Sequence, residues 1–252
     1  MINVPRFSDK EGLAAFVVDN GFRILNLCHI PEDGRLKTLS FAVTGKEKVL
    51  EVLEFGERVD GSSLFSFIEP GKSDIYIVPR IEKVFVNPFA SVPTLNVFCD
   101  YLDENGKALD VAPRNVLAKA EKGLNESAGV VLKAFAELEY YVVAKQDCGT
   151  SLVETADKNY HESAPFARFE ALRNEALVVL AEAGICTKYA HSEVGRILAK
   201  DGSMLEQHEI ELAPQSLAGM ADDVAIAKWI LRNLSIKHGV SVTFVPKVSL
   251  DH

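Results

Sequence analysis

Three short runs of the sequence place polar or acidic side chains two residues apart in stretches that read as β-strands: Glu137 and Glu139, His191 and Glu193, and Gln207, Glu209 and Glu211. Side chains on a strand alternate faces, so residues i and i+2 project the same way, about 6–7 Å apart. In the first run Phe135 and Tyr141 share the acidic face, and Ala136, Leu138 and Tyr140 point to the other side. A charge is costly to bury alone, so acids on a largely apolar strand must meet water, a cationic partner or a metal ion. Taken singly, an E-x-E pair is an ordinary solvent-facing stripe. If the hairpin of residues 185–212 lies beside the strand of residues 131–143, four or five carboxylates converge on one cavity. Oxygen-rich clusters of that kind select Mg²⁺ or Mn²⁺, ions that neutralise phosphate charge in nucleotide chemistry. His191 and His208 read more readily as hydrogen-bonded structural residues than as ligands, and Trp229, with Ile226 and Ile230, reads as helix core.

Periodicity and turn chemistry supply the elements that must hold these groups. Ser8-Asp9-Lys10-Glu11 has the S-x-x-E capping-box form ahead of Leu13, Phe16 and Val17, which predicts a helix over 8–20 with Gly21 just past its end. Phe22–Ile30 and Leu36–Val43 flank Asp33-Gly34 as a hairpin, and a short helix follows at 45–54. Gly56 to Ser73 has loop composition and carries Asp60-Gly61-Ser62-Ser63. Strands are expected at 74–79, 83–87 and 94–101, closed by the polar turn Asp103-Glu104-Asn105-Gly106-Lys107. Pro113 opens a helix to about residue 123, and Val131–Val143 is a long strand. A helix lies within His161–Gly184, and strands Ile185–Val194 and Met204–Leu212 flank the turn Lys200-Asp201-Gly202-Ser203. Leu217–His238 is a third helix of this part and Val240–Val245 a last strand. Long helices among hairpin-type strands give an α+β class with largely antiparallel pairing, in two domains, 1–103 and 104–252.

With 252 residues, 48% of them hydrophobic and 25% charged, the chain can bury a sizeable core. Its 27 Lys and Arg against 36 Asp and Glu give a formal charge of −9, which leaves no basic footprint and argues against a nucleic-acid partner. No apolar run approaches the roughly 18–20 residues of a membrane-spanning helix, and Met1-Ile2-Asn3-Val4-Pro5-Arg6 lacks the apolar core of a signal peptide. A cytoplasmic protein with no membrane partner is expected. Cys28, Cys99, Cys148 and Cys186 form no C-x-x-C pair and read as buried thiols.

Val59-Asp60-Gly61-Ser62-Ser63, Ser73-Asp74-Ile75-Tyr76-Ile77-Val78-Pro79, Ala136-Glu137-Leu138-Glu139-Tyr140-Tyr141, His191-Ser192-Glu193-Val194-Gly195, Glu206-Gln207-His208-Glu209-Ile210 and Phe244-Val245-Pro246-Lys247 occur in that order. In order and spacing they resemble the successive signatures of glutamine synthetase. The resemblance implies an N-terminal β-grasp-like domain, then a catalytic domain whose antiparallel strands form an active-site funnel with two divalent ions, Mg²⁺ or Mn²⁺. It implies ATP-dependent ligation of ammonium to the γ-carboxylate of glutamate through a γ-glutamyl phosphate, giving glutamine. Glu139, Glu193 and Glu209 match the holders of the first ion, and Glu137 matches a contributor to the second. Asp60 matches the aspartate that binds ammonium and helps take its proton, and Asp74 a second acid supporting that pocket. The family pattern also implies a homo-oligomeric ring with active sites between subunits. Alternatives within it are a γ-glutamyl-amine ligase, or a non-catalytic or truncated homologue that only folds or assembles.

The sequence departs from the family pattern in several places. Leu198 to Leu205 lengthen the hairpin between Glu193 and Glu209. Lys188 stands where an acidic residue near the nucleotide is common, and Pro214 where an aromatic one is. The chain ends at Leu250-Asp251-His252, ahead of the family's Gly-rich histidine segment and substrate-binding arginines. That implies a catalytic domain cut short, a full ligand set for only one ion, and little activity from these residues alone.

Overall fold

The computed structural model describes Ile2, residues 4–145 and residues 157–248, with Lys72 described by its backbone only. The chain divides into two compact units, residues 1–132 with 182–184, and residues 133–181 with 185–252. Cys148 and His252 lie outside the described residues. No described helix is long and apolar enough to cross a membrane.

In the first unit, α1 (Lys10–Asp19), β1 (Ile24–His29), β2 (Lys37–Ala42), α2 (Lys46–Phe55), β3 (Glu57–Asp60), β4 (Asp74–Val86), β5 (Thr94–Leu102) and α3 (Pro113–Ala128) follow in order. The five strands make one sheet, β2-β1-β5-β4-β3, in which β1 and β5 run parallel and every other pair is antiparallel. This is a β-grasp domain. Leu13, Val17, Val52 and Leu53 from the helices close over Leu25, Leu27, Ile77 and Val97 from the strands, all at most 4% exposed.

Three expectations for this unit are corrected. The first helix is capped by Asp9, whose Oδ1 accepts from the Gly12 N–H at 2.7 Å, while the Ser8 hydroxyl donates to Asp9 instead of capping. The Gly56–Ser73 stretch contains the edge strand β3, paired with β4 from Glu57↔Ile77 to Asp60↔Asp74. The two short strands expected at 74–79 and 83–87 are one strand, β4, with a register shift between Pro79 and Val84.

In the second unit, β6 (Lys133–Lys145), α4 (Glu170–Glu182), β7 (Thr187–Leu198), β8 (Ser203–Ser216), α5 (Leu217–Lys237) and β9 (Ser241–Thr243) build an antiparallel sheet in the order β7-β8-β6-β9. α5 packs on this sheet through Ile226, Ala227, Ile230, Leu231 and Leu234, whose helical spacing marks one apolar stripe. The extra residues at 198–205 lengthen the β7/β8 hairpin, which stays paired out to Leu198↔Met204 and turns at Gly202, φ +81°. The helix expected within 161–184 begins only at Glu170. Ahead of it the chain is held in irregular form by the buried carboxylate of Glu206, which accepts from the N–H groups of Arg168 and Phe169. Cys28 and Cys99 are buried free thiols as expected, but Cys186 is exposed.

Gly56 turns the chain from α2 into β3 at φ +63° and ψ −146°, a region essentially reserved for glycine, and a Cβ there would run into the Ile77 carbonyl oxygen. Gly56→Ala is expected to cost the β-grasp unit about 2–4 kcal/mol. Urea unfolding checks this, and an unchanged midpoint would contradict it.

Candidate functional site

The register of β6, β8 and β7 brings the expected acids onto one face. Glu137 lies opposite Glu211 and Glu139 opposite Glu209 across β6/β8, while His191 lies opposite Glu209 and Tyr189 opposite Glu211 across β7/β8. Glu193, two residues beyond His191, joins the same group. Ligand-capable atoms of His191, Glu193 and Glu209 all lie within 4.8 Å of one another, and so do those of Glu137, Glu209 and Glu211. Glu209 belongs to both groups, because β8 runs between the other two strands.

The members differ in how their charge is met. Glu209 is 7% exposed, accepts no hydrogen bond from the described residues, and has His191 Nε2 at 4.0 Å. Burial, reinforced by the negative charges of Glu137, Glu193 and Glu139, pushes its carboxyl above the ordinary value against the smaller pull of His191. Glu211, 3% exposed, is instead bonded by Lys188 Nζ at 2.6 Å and by the Tyr189 hydroxyl, which hold its carboxyl below the ordinary value. The Glu139 carboxylate accepts from Gln207 Nε2 at 2.9 Å, and Gln207 Oε1 in turn accepts from the Gly195 N–H at 3.0 Å. Gly195 leaves room for this bridge: a Cβ there would press on the Tyr141 hydroxyl and on Gln207.

His191 lies 3.6 Å from Glu193 through Nδ1, which also donates to the Ser192 carbonyl at 3.1 Å. In the neutral ring that bond leaves the Nε2 lone pair toward Glu209, the usual arrangement of a metal-binding histidine. A cavity of about 470 Å³ opens beside it, walled by the stacked rings of Tyr160 and His161 and by Tyr189 and Arg173.

The opposite face of β8 is closed by a buried polar network that the sequence reading did not assemble. Glu206, fully buried, accepts from His208 Nε2 at 2.9 Å, Arg196 Nη2 at 3.2 Å and the two N–H groups ahead of α4. Burial raises its carboxyl, but these bonds outweigh burial, so it titrates below its ordinary value. His208, also fully buried, takes Arg173 Nη1 at its other nitrogen, and burial, ahead of the Glu206 attraction, holds the ring below its ordinary value. Arg196 further donates to Asn159 and to the Phe166 carbonyl, and Arg173 to the Ser192 hydroxyl. Alternation along Glu206-Gln207-His208-Glu209 is the signal that separates this face from the acidic one.

Asp60 and Asp74 belong to the first unit, where β3 and β4 pair them directly. The exposed Asp60 carboxylate accepts from the Ser62 N–H and from the Ser62 and Ser63 hydroxyls, at 2.7–3.0 Å. The hydroxyls of Ser62, Ser63 and Ser73 hold it at about 2. Asp74 pairs with Arg58 Nη1 at 2.8 Å.

The family model described as glutamine synthetase, catalytic domain, matches residues 110–252, and that described as glutamine synthetase, beta-grasp domain, matches residues 22–104. The chain belongs to the glutamine synthetase family. It is 26% identical over 241 residues to the glutamine synthetase of Thermotoga maritima, covering 94% of this chain and 52% of that one. Against the enzyme of Methanococcus maripaludis it is 25% identical over 243 residues, with the same shares covered. The chain thus spans about half the length of the curated relatives it matches. The solved structure of Plasmodium falciparum glutamine synthetase shares its fold, with a TM-score of 0.81 at 21% identity over 98% of this chain and 52% of that one. A GmaS/ADP complex gives a TM-score of 0.76 at 18% identity, covering 96% of this chain and 52% of that one.

The donor set suits the divalent cation that glutamine synthetases require. It consists of carboxylates and one imidazole, and its central member, Glu209, is buried among like charges with no hydrogen bond from the described residues to offset them. Because the folded carboxyl of Glu209 is raised, its stabilising contribution is present below the ordinary value of 4.5 and is lost as pH rises through the folded value. Glu206 acts oppositely: its contribution is present above 4.5 and lost as pH falls through its lowered value. Glu209→Gln is therefore expected to raise the melting temperature of the metal-free protein at pH 7 by a few degrees and to abolish the further rise on adding Mn²⁺. Differential scanning calorimetry checks both, and a lowered metal-free melting temperature would contradict the assignment of Glu209 as an uncompensated charge.

Proposed function

We propose that these residues supply the metal-binding and ammonium-binding parts of an ATP-dependent ligase that joins ammonia to the γ-carboxylate of glutamate, giving glutamine. The observation that carries the reading is the buried, unbonded Glu209 carboxylate facing His191, Glu193 and Glu137 on one sheet face. In this reading Glu139, Glu193 and Glu209 hold one Mg²⁺ or Mn²⁺ ion, and Glu137 contributes to a second beside the nucleotide. The ions supply charge neutralisation between the attacking γ-carboxylate and the γ-phosphoryl group of ATP, which otherwise repel each other.

The carboxylate oxygen attacks the γ-phosphorus, ADP leaves, ammonia attacks the acyl carbon, and phosphate leaves. Asp60, held at about 2 by its serine hydroxyls, stays ionised throughout neutral pH and attracts ammonium. Ammonium gives up one proton to solvent water before its nitrogen attacks, and so weak a base as Asp60 accepts the second proton, from the nitrogen once it has bonded to carbon and become acidic. The Arg58–Asp74 pair is more than half exposed on both sides, and a pair of that kind holds weakly, so Asp74 is free to exchange Arg58 for a substrate cation. The reading extends to a ring of subunits in which the Asp60 loop serves a neighbouring site, supported by the 53% exposure of Phe67 on that segment. It also extends to the cytoplasm, where the free thiols of Cys28 and Cys99 suit a reducing compartment.

The test is an assay of the complete gene product with glutamate, ammonium, ATP and Mn²⁺. Glutamine and phosphate are expected in equal amounts, and Asp60→Asn is expected to lower kcat/KM for ammonium by about 10²-fold or more. Methylamine consumed as readily as ammonium would favour an organic-amine acceptor. Binding of ATP and Mn²⁺ without phosphate release would refute ligation altogether.

A further inference from the structure

The two ligand groups that share Glu209 are not equivalent. In one, His191 and Glu193 leave the buried Glu209 carboxylate without a hydrogen bond, and the imidazole is oriented by its bond to the Ser192 carbonyl. In the other, Glu211 already has a cation: Lys188 Nζ lies 2.6 Å from its Oε1. That Nζ also lies 4.9 Å from the centre of the Tyr189 ring. The Glu211 side chain is 4% exposed, so an ion entering beside it competes with Lys188 for that carboxylate.

We infer that Lys188 is a built-in counter-cation that keeps Glu211 from acting as a metal ligand, so that Glu137 serves the second ion without Glu211 and the 252 residues by themselves load one ion, at Glu139, Glu193 and Glu209 with His191 beside it. The inference deepens the metal-site reading above and rests on it. A charge-assisted bond at 2.6 Å to a desolvated carboxylate is strong, and it occupies a carboxylate that a second ion would otherwise use. With Lys188 gone, Glu137, Glu209 and Glu211 keep their ligand atoms within 4.8 Å and lose their internal cation, which opens the second position.

The experiment is a Mn²⁺ titration of the 252-residue chain, read from the electron paramagnetic resonance signal of free aqueous Mn²⁺. The wild type is expected to take up one Mn²⁺ per chain, and Lys188→Met and Lys188→Gln two, with the first bound as tightly as before. The Lys188 side chain is 51% exposed, so both variants are expected to fold, and circular dichroism verifies it. Two comparable Mn²⁺ sites in the wild type, or a single site in both folded Lys188 variants, would overturn the role of Lys188 and leave the metal centre standing. No uptake by the wild type would overturn the metal centre itself.

Discussion

A carboxylate buried among other carboxylates is the constraint around which the second unit is organised. Glu209 sits on β8, which is flanked by β6 and β7, so neither sheet edge nor solvent relieves its charge. Burial and like-charge repulsion act together on it, and the sheet register prevents the neighbouring acids from moving apart. Such a site stores unfavourable electrostatic energy that a divalent cation converts into binding.

The other face of the same strand meets the same problem differently. Glu206 and His208 are as deeply buried as Glu209, yet two arginines, their mutual bond and backbone N–H groups satisfy them within the fold. A satisfied buried network rigidifies its surroundings, because breaking one member leaves an uncompensated charge behind. Here it joins β7, β8 and the segment ahead of α4, and so fixes the strands whose other faces carry the acids. One strand thus carries an internally neutralised layer that gives rigidity and an unneutralised layer on which the proposed metal site rests.

Much of this was legible in the sequence, and what was not has identifiable causes. The shared face of Glu137 and Glu139, the β7/β8 hairpin and its turn, and the apolar stripe of α5 follow from local alternation and spacing. The role of His191 depends on its position opposite Glu209, which is a property of two strands in register and not of either alone. The Lys188–Glu211 pair is hidden for the same reason. β3 is hidden because four residues between a glycine turn and a serine-rich loop carry too little pattern. The late start of α4 is a tertiary override: Phe166 and Phe169 stand at helical spacing, but Glu206 takes the N–H groups of Arg168 and Phe169, and Phe166 is left 47% exposed. At the first helix, two adjacent capping residues compete, and the ionised one takes the N–H while the hydroxyl donates to it.

The central claim is that the acidic face of β6, β8 and β7 exists to hold a divalent cation through Glu209. Anomalous diffraction from crystals of the chain grown with Mn²⁺, recorded at the manganese edge, tests it most directly. A peak is expected within coordination distance of Glu139, Glu193 and Glu209, beside His191. An occupied Mn²⁺ site elsewhere, with the Glu209 carboxylate bonded to protein groups or water alone, would contradict it.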